Sequence, residues 1–394
     1  MDGPDLSLHA RARAVAVSGA ALGIAAALGP FGLVLRVNRI ARGEAVSLFS
    51  AFGPWGVALV ACWAIVAVLA LSSAPLRMRG IVGSLAAGAA PVLALWQAGS
   101  VAARYTLQAG DLARVSLGAG FWLTVAASYI AIFAATAWLK RSVVRGLVAY
   151  GPFAAVAALL ASGALSSLGI VREYANNAEA FAKQMNLHVA YVGVSVLAGL
   201  VLGLALGLLA ARKPATEPVV FGALNVLQVL PTLAFIGLLY PVLTDLSRRV
   251  DLFAAVGVHG VGWAPVVIVL SAYAVYPIAR NTHAAFVSLE PAVIDAARGI
   301  GMGPASVLAE VELPLAAPVI LAGLRVALVQ STAGAIIAGL VGGGGLGTFV
   351  FLGASETASD LILLGVLPIV ALGLAFDRGL TAVETALTLW REPA

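Results

Sequence analysis

Only 10% of the 394 residues are charged, so the side chains able to do chemistry can be weighed almost singly. The largest polar grouping with a regular pattern is residues 288–314, Ser-Leu-Glu-Pro-Ala-Val-Ile-Asp-Ala-Ala-Arg-Gly-Ile-Gly-Met-Gly-Pro-Ala-Ser-Val-Leu-Ala-Glu-Val-Glu-Leu-Pro. Ser288 is placed to cap a helix, and Pro291 suits its first turn. Gly299, Gly301 and Gly303 break that helix and turn the chain. Pro304 suits the start of a second short helix and Pro314 its end. The pattern predicts a helix–turn–helix held between two apolar runs, a surface that another protein can push or pull. Its acids, Glu290 and Asp295, lie on a docking loop and form no catalytic dyad.

Other chemistry is thinly represented. His9, His188, His259 and His283 have no metal-ligand spacing, no Ser-His-Asp arrangement is readable, and Cys62 is the one cysteine, so neither an internal disulfide nor a cysteine metal site exists. The glycine run 342–347 lacks the following Gly-Lys-Ser/Thr of a phosphate loop and reads as a tight turn or close helix packing. Ionisable and polar groups inside apolar runs are costly and therefore functional candidates. Gln228, Pro231 and Thr232 fall in one run, where Pro231 frees a backbone carbonyl and either kinks the helix for packing or lines a transport path. Tyr273 and Tyr276 near the end of the next run are either interface aromatics or faces for a quaternary ammonium ion. Arg325 either snorkels to the membrane surface or pairs with Asp377 or Glu384.

The elements that position these residues follow from composition. The chain is 61% hydrophobic, with a mean hydropathy of +1.02. Soluble domains carry about 25% charged residues, so a soluble enzyme and a disordered chain are both excluded. Ten runs reach the length of about 20 residues that a spanning helix needs: 15–35, 54–72, 80–98, 118–139, 147–168, 188–211, 219–240, 260–280, 315–340 and 361–380. The first, preceded by Arg11 and Arg13, is too long for a signal-peptide core. The expected fold is an all-α polytopic membrane protein of about ten transmembrane helices.

Lys and Arg beside the runs set orientation. With the N-terminus inside, the cytoplasmic set is Arg11, Arg13, Arg77, Arg79, Lys140, Arg141, Arg145, Arg212, Lys213, Arg280, Arg298, Arg378 and Arg391. The outer set is smaller: Arg36, Arg39, Arg42, Arg104, Arg114, Arg172, Lys183, Arg248 and Arg249, with the cluster 36–42 as the main exception. Both termini are thus expected in the cytoplasm. The net charge of +5 is directed at membrane lipid rather than nucleic acid. A polar stretch with helical spacing of its apolar residues divides the chain. The expected domains are an N-terminal five-helix extension at 1–170, an amphipathic outer linker helix at 171–187, and a core at 188–386.

The docking segment resembles the EAA signature of permease subunits of ATP-binding-cassette (ABC) importers: Glu-Ala-Ala, three residues, Gly, nine residues, Ile, one residue, Leu-Pro. Here Asp295-Ala296-Ala297, Gly301, Val311 and Leu313-Pro314 keep every interval. Asp for Glu and Val for Ile are the departures. Gln228 to Phe235, Tyr276 to Thr282, Gly323-Leu-Arg325, the glycine run and Asp377 with Glu384 are similar to the osmoprotectant (glycine betaine, choline, carnitine) branch over roughly 186–386.

The resemblance implies a type I importer permease core in the C-terminal five helices, with 288–314 as the coupling loop. Its ATPase-contacting residues would be Glu290, Asp295, Ala296, Ala297, Gly301, Val311, Leu313 and Pro314, and its translocation path would include Gln228, Pro231, Thr232, Tyr273 and Tyr276. The implied partners are ATP-binding-cassette ATPase subunits, a second permease copy or a related one, and an external substrate-binding protein, all at the inner membrane of a prokaryote. No cofactor is expected in this chain; ATP and Mg belong to the partner ATPase. Three other readings stay open: the same machine carrying another solute such as methionine, an ATP-independent carrier, and an intramembrane enzyme. The last two lack, respectively, confident mid-span carboxylates and a His/Asp/Glu cluster at one membrane face.

Overall fold

The computed structural model describes residues 4–39, 41–139 and 142–389; Lys140, Arg141 and Arg391 lie outside the described residues. Two compact units emerge, residues 1–176 with 356–360, and residues 177–355 with 361–394.

The first unit contains α1 (Pro4–Leu28), β1 (Leu33–Arg36), β2 (Glu44–Val46), α2 (Leu48–Phe52), α3 (Pro54–Leu71), α4 (Leu76–Ala109), β3 (Arg114–Leu117), α5 (Ala119–Thr136), α6 (Ser142–Ala161) and α7 (Gly169–Asn176). The first apolar run is therefore not one helix. Gly29-Pro30 ends α1, because a proline disfavours helical geometry in the residue before it. The apolar residues beyond become β1, the central strand of an antiparallel sheet in which Leu33 faces Val46 and Leu117. Hydropathy alone does not separate a short apolar strand from the tail of a helix. Leu33, Leu48, Leu59, Trp63, Phe121 and Leu168 are buried in one core.

The arginine cluster 36–42 has a structural use. Arg36 donates to Ser359 Oγ at 3.1 Å, and Arg39 pairs with Glu173 at 3.3 Å and Glu356 at 2.8 Å. Ser116 donates to the buried Asp360 at 2.6 Å, and Arg172 donates to the carbonyl of Ala113 at 3.1 Å.

The second unit starts with α8 (Ala178–Arg212), followed by α9 (Glu217–Val229), α10 (Thr232–Arg249), α11 (Asp251–Ala255) and α12 (Trp263–Val287). Then come α13 (Pro291–Gly299), α14 (Pro304–Ser306), α15 (Leu313–Gly334), α16 (Gly347–Ser355) and α17 (Ser359–Leu389). The polar stretch 171–187 is not a single linker helix. Asn177, at φ −123° and ψ 20°, interrupts the chain, and the second half of the stretch is the start of α8 itself.

The tightest packing joins α8 to α12. Gly199, Gly203 and Gly207 form a stripe along α8. A Cβ on each would lie within 2.5–2.8 Å of Ala274, Ile278 and Ala279 respectively. Contacts that advance together along both helices mean that the two run parallel, backbone against backbone, as small residues allow in membranes. Ahead of the stripe, His188 Nε2 sits 3.0 Å from the carbonyl of Thr332, and Gln184 accepts from the Gly345 amide at 2.6 Å. Tyr191 donates to the carbonyl of Gly343, so the glycine run 342–347 is a turn packed on α8.

Among the described residues nine helices are long and apolar enough to cross a membrane, and a bent pair makes a tenth if it counts as one span. This agrees with the expected fold of about ten transmembrane helices.

Candidate functional site

The docking segment begins one step later than expected. Ser288 ends α12, its Oγ donating to the carbonyl of Ala285 at 2.9 Å, while Glu290 occupies the N-cap position of α13 and Pro291 its first turn. Ala297 packs inward, whereas Val293, Ala296 and Ile300 are exposed, Ile300 to 81%. Asp295 and Arg298 form only an exposed pair at 3.8 Å, which contributes little to stability and leaves the carboxylate open to a partner. The amides of Ile300, Gly301 and Met302 donate to the carbonyls of Ala296, Arg298 and Ala297, closing the helix. Gly301 then takes φ +91°, a conformation that costs a residue with a Cβ roughly 1–2 kcal/mol.

The far side departs from the expected second short helix. Pro304 does start a helix, but Pro314 does not end one. The chain runs from α14 through a wide π turn, Val307–Glu312, directly into α15. Pro314 has no N–H, and its ring clashes with the carbonyl four residues back in an α-helix. The wider π turn relieves that clash. Val311 is half-buried, and Leu313 and Pro314 are exposed at the join.

The π turn buries a charge. Glu312 is 1% exposed, and its carboxylate accepts from Arg212 at the end of α8, which is 46% exposed and lies over the Phe286 ring at 5.7 Å. The docking segment is thereby tied to α8 as well as to its own flanking helices. Sequence reasoning missed this pair. The available signal was Glu312 itself, a carboxylate between Val311 and Leu313 with no local basic partner.

The second group of expected residues gathers at the α9–α10 junction. These helices meet at 101°, with Leu230 and Pro231 in extended geometry and Thr232 as the first residue of α10. Tyr273 donates to the carbonyl of Leu230 at 2.6 Å, and Gln228 Nε2 donates to the carbonyl of Tyr273 at 2.8 Å. Phe235 lies 6.2 Å from the Tyr273 ring. One backbone group freed by the break is thus satisfied by a side chain from α12, as a broken apolar helix requires. Tyr276 packs elsewhere, against a cluster that includes Phe221 and Leu224 of α9 and Ala210 of α8. Arg325 is paired rather than extended to the surface: it meets Thr381 Oγ1 at 2.9 Å, Glu384 at 3.4 Å and Asp377 at 3.7 Å.

Comparisons with known proteins cover both halves. Residues 11–171 match the family described as "ABC transporter permease YehY, N-terminal domain", and residues 199–388 match "Binding-protein-dependent transport system inner membrane component". The choline transport system permease protein OpuBB of Bacillus subtilis is 32% identical over 201 residues, 51% of this chain and 85% of the relative. The osmoprotectant import permease protein OsmW of Salmonella typhimurium is 35% identical over 51% of this chain and 88% of its own length. The carnitine transport permease protein OpuCB of Listeria monocytogenes is 34% identical over 49% and 82%. With both halves matched by permease families, and relatives over 30% identical matched over most of their length, the chain belongs to the permease subunits of binding-protein-dependent ABC importers, in the osmoprotectant branch.

Proposed function

We propose that the chain lines the pore of an ATP-driven importer for small zwitterionic or quaternary ammonium solutes such as glycine betaine or choline, and that α13 is the element a partner ATPase grips. The observation that carries this reading is α13 itself: a nine-residue helix between two spans, with Val293, Ala296 and Ile300 turned outward and Asp295 only loosely paired. Glu290, Asp295, Ala296, Ala297 and Gly301 set its shape and surface, and Val311, Leu313 and Pro314 carry its motion into α15. ATP and Mg bind the ATPase, whose closure draws the segment with it. A second permease copy or a related permease completes the pore, and an external binding protein supplies most of the specificity. The path includes Gln228, Pro231, Thr232, Tyr273 and Tyr276, whose aromatic faces attract a quaternary ammonium ion.

On this reading both termini lie in the cytoplasm. Supporting this, the outer-side Arg36, Arg39 and Arg172 are engaged by carboxylates, a hydroxyl or carbonyls. On the inner side Arg212, Arg280 and Arg298 also have carboxylate partners, whereas Arg11, Arg77 and Arg145 have none among the described residues and are free to orient the chain.

The test is reconstitution with the cognate ATPase and binding protein in proteoliposomes. ATP-dependent accumulation of glycine betaine or choline is expected, and Gly301→Val should abolish it while the chain still inserts, because the turn and not its surroundings is strained. Preference for methionine over quaternary ammonium solutes would reject the substrate class. Full uptake by Gly301→Val would reject the docking role.

A further inference from the structure

The N-terminal unit contains a hollow that the transport reading leaves unused. Between α4, α5 and α6 lies an apolar groove of about 270 Å³ lined by Pro91, Leu95, Tyr129, Phe133, Phe153 and Val156. The rings of Tyr129, Phe133 and Phe153 are largely exposed at its rim, and α6 itself is barely buried. A second hollow between α1, α5 and α6 is lined by Arg11 and Arg145, and Phe133 and Thr136 line both, so the two adjoin. Arg11 and Arg145 are exposed, and neither has an ion-pair partner among the described residues. The site is thus an apolar slot with two uncompensated cations at one end.

Its length is informative. From Arg145 in the second hollow to Val156 in the groove, the two together follow eleven residues of α6, about 16 Å at roughly 1.5 Å per residue. That is about half of a hydrocarbon core of roughly 30 Å, the depth of one leaflet. A soluble anion would leave the apolar slot empty, and a zwitterionic lipid, although it also has a phosphate, would bring its own headgroup cation beside the two arginines. We infer that this unit holds one anionic phospholipid, its phosphate between Arg11 and Arg145 and an acyl chain in the groove beside α6.

The test is native mass spectrometry of the full-length chain in detergent, titrated with phosphatidylglycerol and, separately, phosphatidylcholine. One phosphatidylglycerol per chain should be retained in preference to phosphatidylcholine. An arginine near an anionic lipid is worth about fivefold in affinity, so R11Q/R145Q together should lower phosphatidylglycerol binding about 30-fold. R11K/R145K should retain it, and R248Q, an arginine of the other unit, should leave it unchanged. A149W, which fills the groove and keeps both arginines, should also displace the lipid, so the outcome does not hang on how the glutamine variant folds. Equal retention of the two lipids, full binding by R11Q/R145Q or by A149W, or displacement of phosphatidylglycerol by inorganic phosphate would overturn the assignment.

Discussion

Replacing Arg212 by methionine removes the cation that pairs with Glu312. The carboxylate is 1% exposed, so it must then stay charged without a partner, take up a proton, or leave the π turn. Breaking a fully buried ion pair costs about 3–5 kcal/mol. Arg212 is 46% exposed, so its own side of the pair is partly hydrated and the expected loss falls to about 2–3 kcal/mol. That is about a 30- to 150-fold shift in the folded-to-unfolded ratio. Glu312→Gln should cost less, about 1 kcal/mol, because Arg212 can turn to water. The double variant R212M/E312Q buries no charge and should recover most of the loss. The contact of Arg212 with Phe286 disappears in both backgrounds and cancels in the cycle. Unfolding free energies from titration with a denaturing detergent should give a coupling of at least about 1.5 kcal/mol. A coupling within about 0.5 kcal/mol of zero would mean that Glu312 does not depend on Arg212, and that α8 is not tied to the docking segment in this way.

Three further substitutions probe the frame around that tie. Gly207→Ala places a Cβ 2.5 Å from the carbonyl of Ala279, backbone that cannot step aside. It should destabilise by about 1–3 kcal/mol, whereas Gly193→Ala on the same helix meets open space and should be neutral or stabilising by up to about 1 kcal/mol; the same sign for both in a denaturation series would refute the parallel α8–α12 contact. Tyr273→Phe removes the donor to the Leu230 carbonyl and should cost about 1–3 kcal/mol, with lower uptake in vesicles; an unchanged unfolding midpoint and unchanged uptake would show that the break does not rely on it.

How far the sequence could be read depended on whether a feature was local. α13 was legible because Pro291 starts it and Gly301 ends it, both within a few residues of the helix they control. The break at Pro231 was legible as a proline inside an apolar run, but its angle was not, since the bend depends on Tyr273 from another helix. The Arg212–Glu312 tie joins residues a hundred positions apart, beyond any periodicity argument. The stripe Gly199, Gly203, Gly207 has a visible four-residue spacing, yet nothing in that spacing says which helix it faces. Arg325 had two open readings because snorkelling and pairing use the same side chain, and only the position of α17 separates them. Pro314 misled for a physical reason: a proline at a helix join is a stop unless the turn before it widens.

The arrangement also constrains how a pull on α13 can travel. α13 is flanked by Gly301 and by the residues between Val287 and Pro291, so by itself it could swing without moving a span. The continuous run from Pro304 through the π turn into α15 removes that freedom on one side. The Arg212–Glu312 pair removes it again by engaging α8. Interlocked backbones along the glycine stripe keep α8 from sliding past α12, and α12 holds the α9–α10 break through Tyr273 and Gln228. A displacement of the docking segment therefore reaches α15, α8, α12 and the broken helix through contacts that are charged, covalent or backbone-close. The weakest step in that chain is the pair of hydrogen bonds at the break. If the break lines the pore as proposed, that is the step expected to yield when the pore changes state, and it is where Tyr273→Phe should alter uptake more than it alters stability.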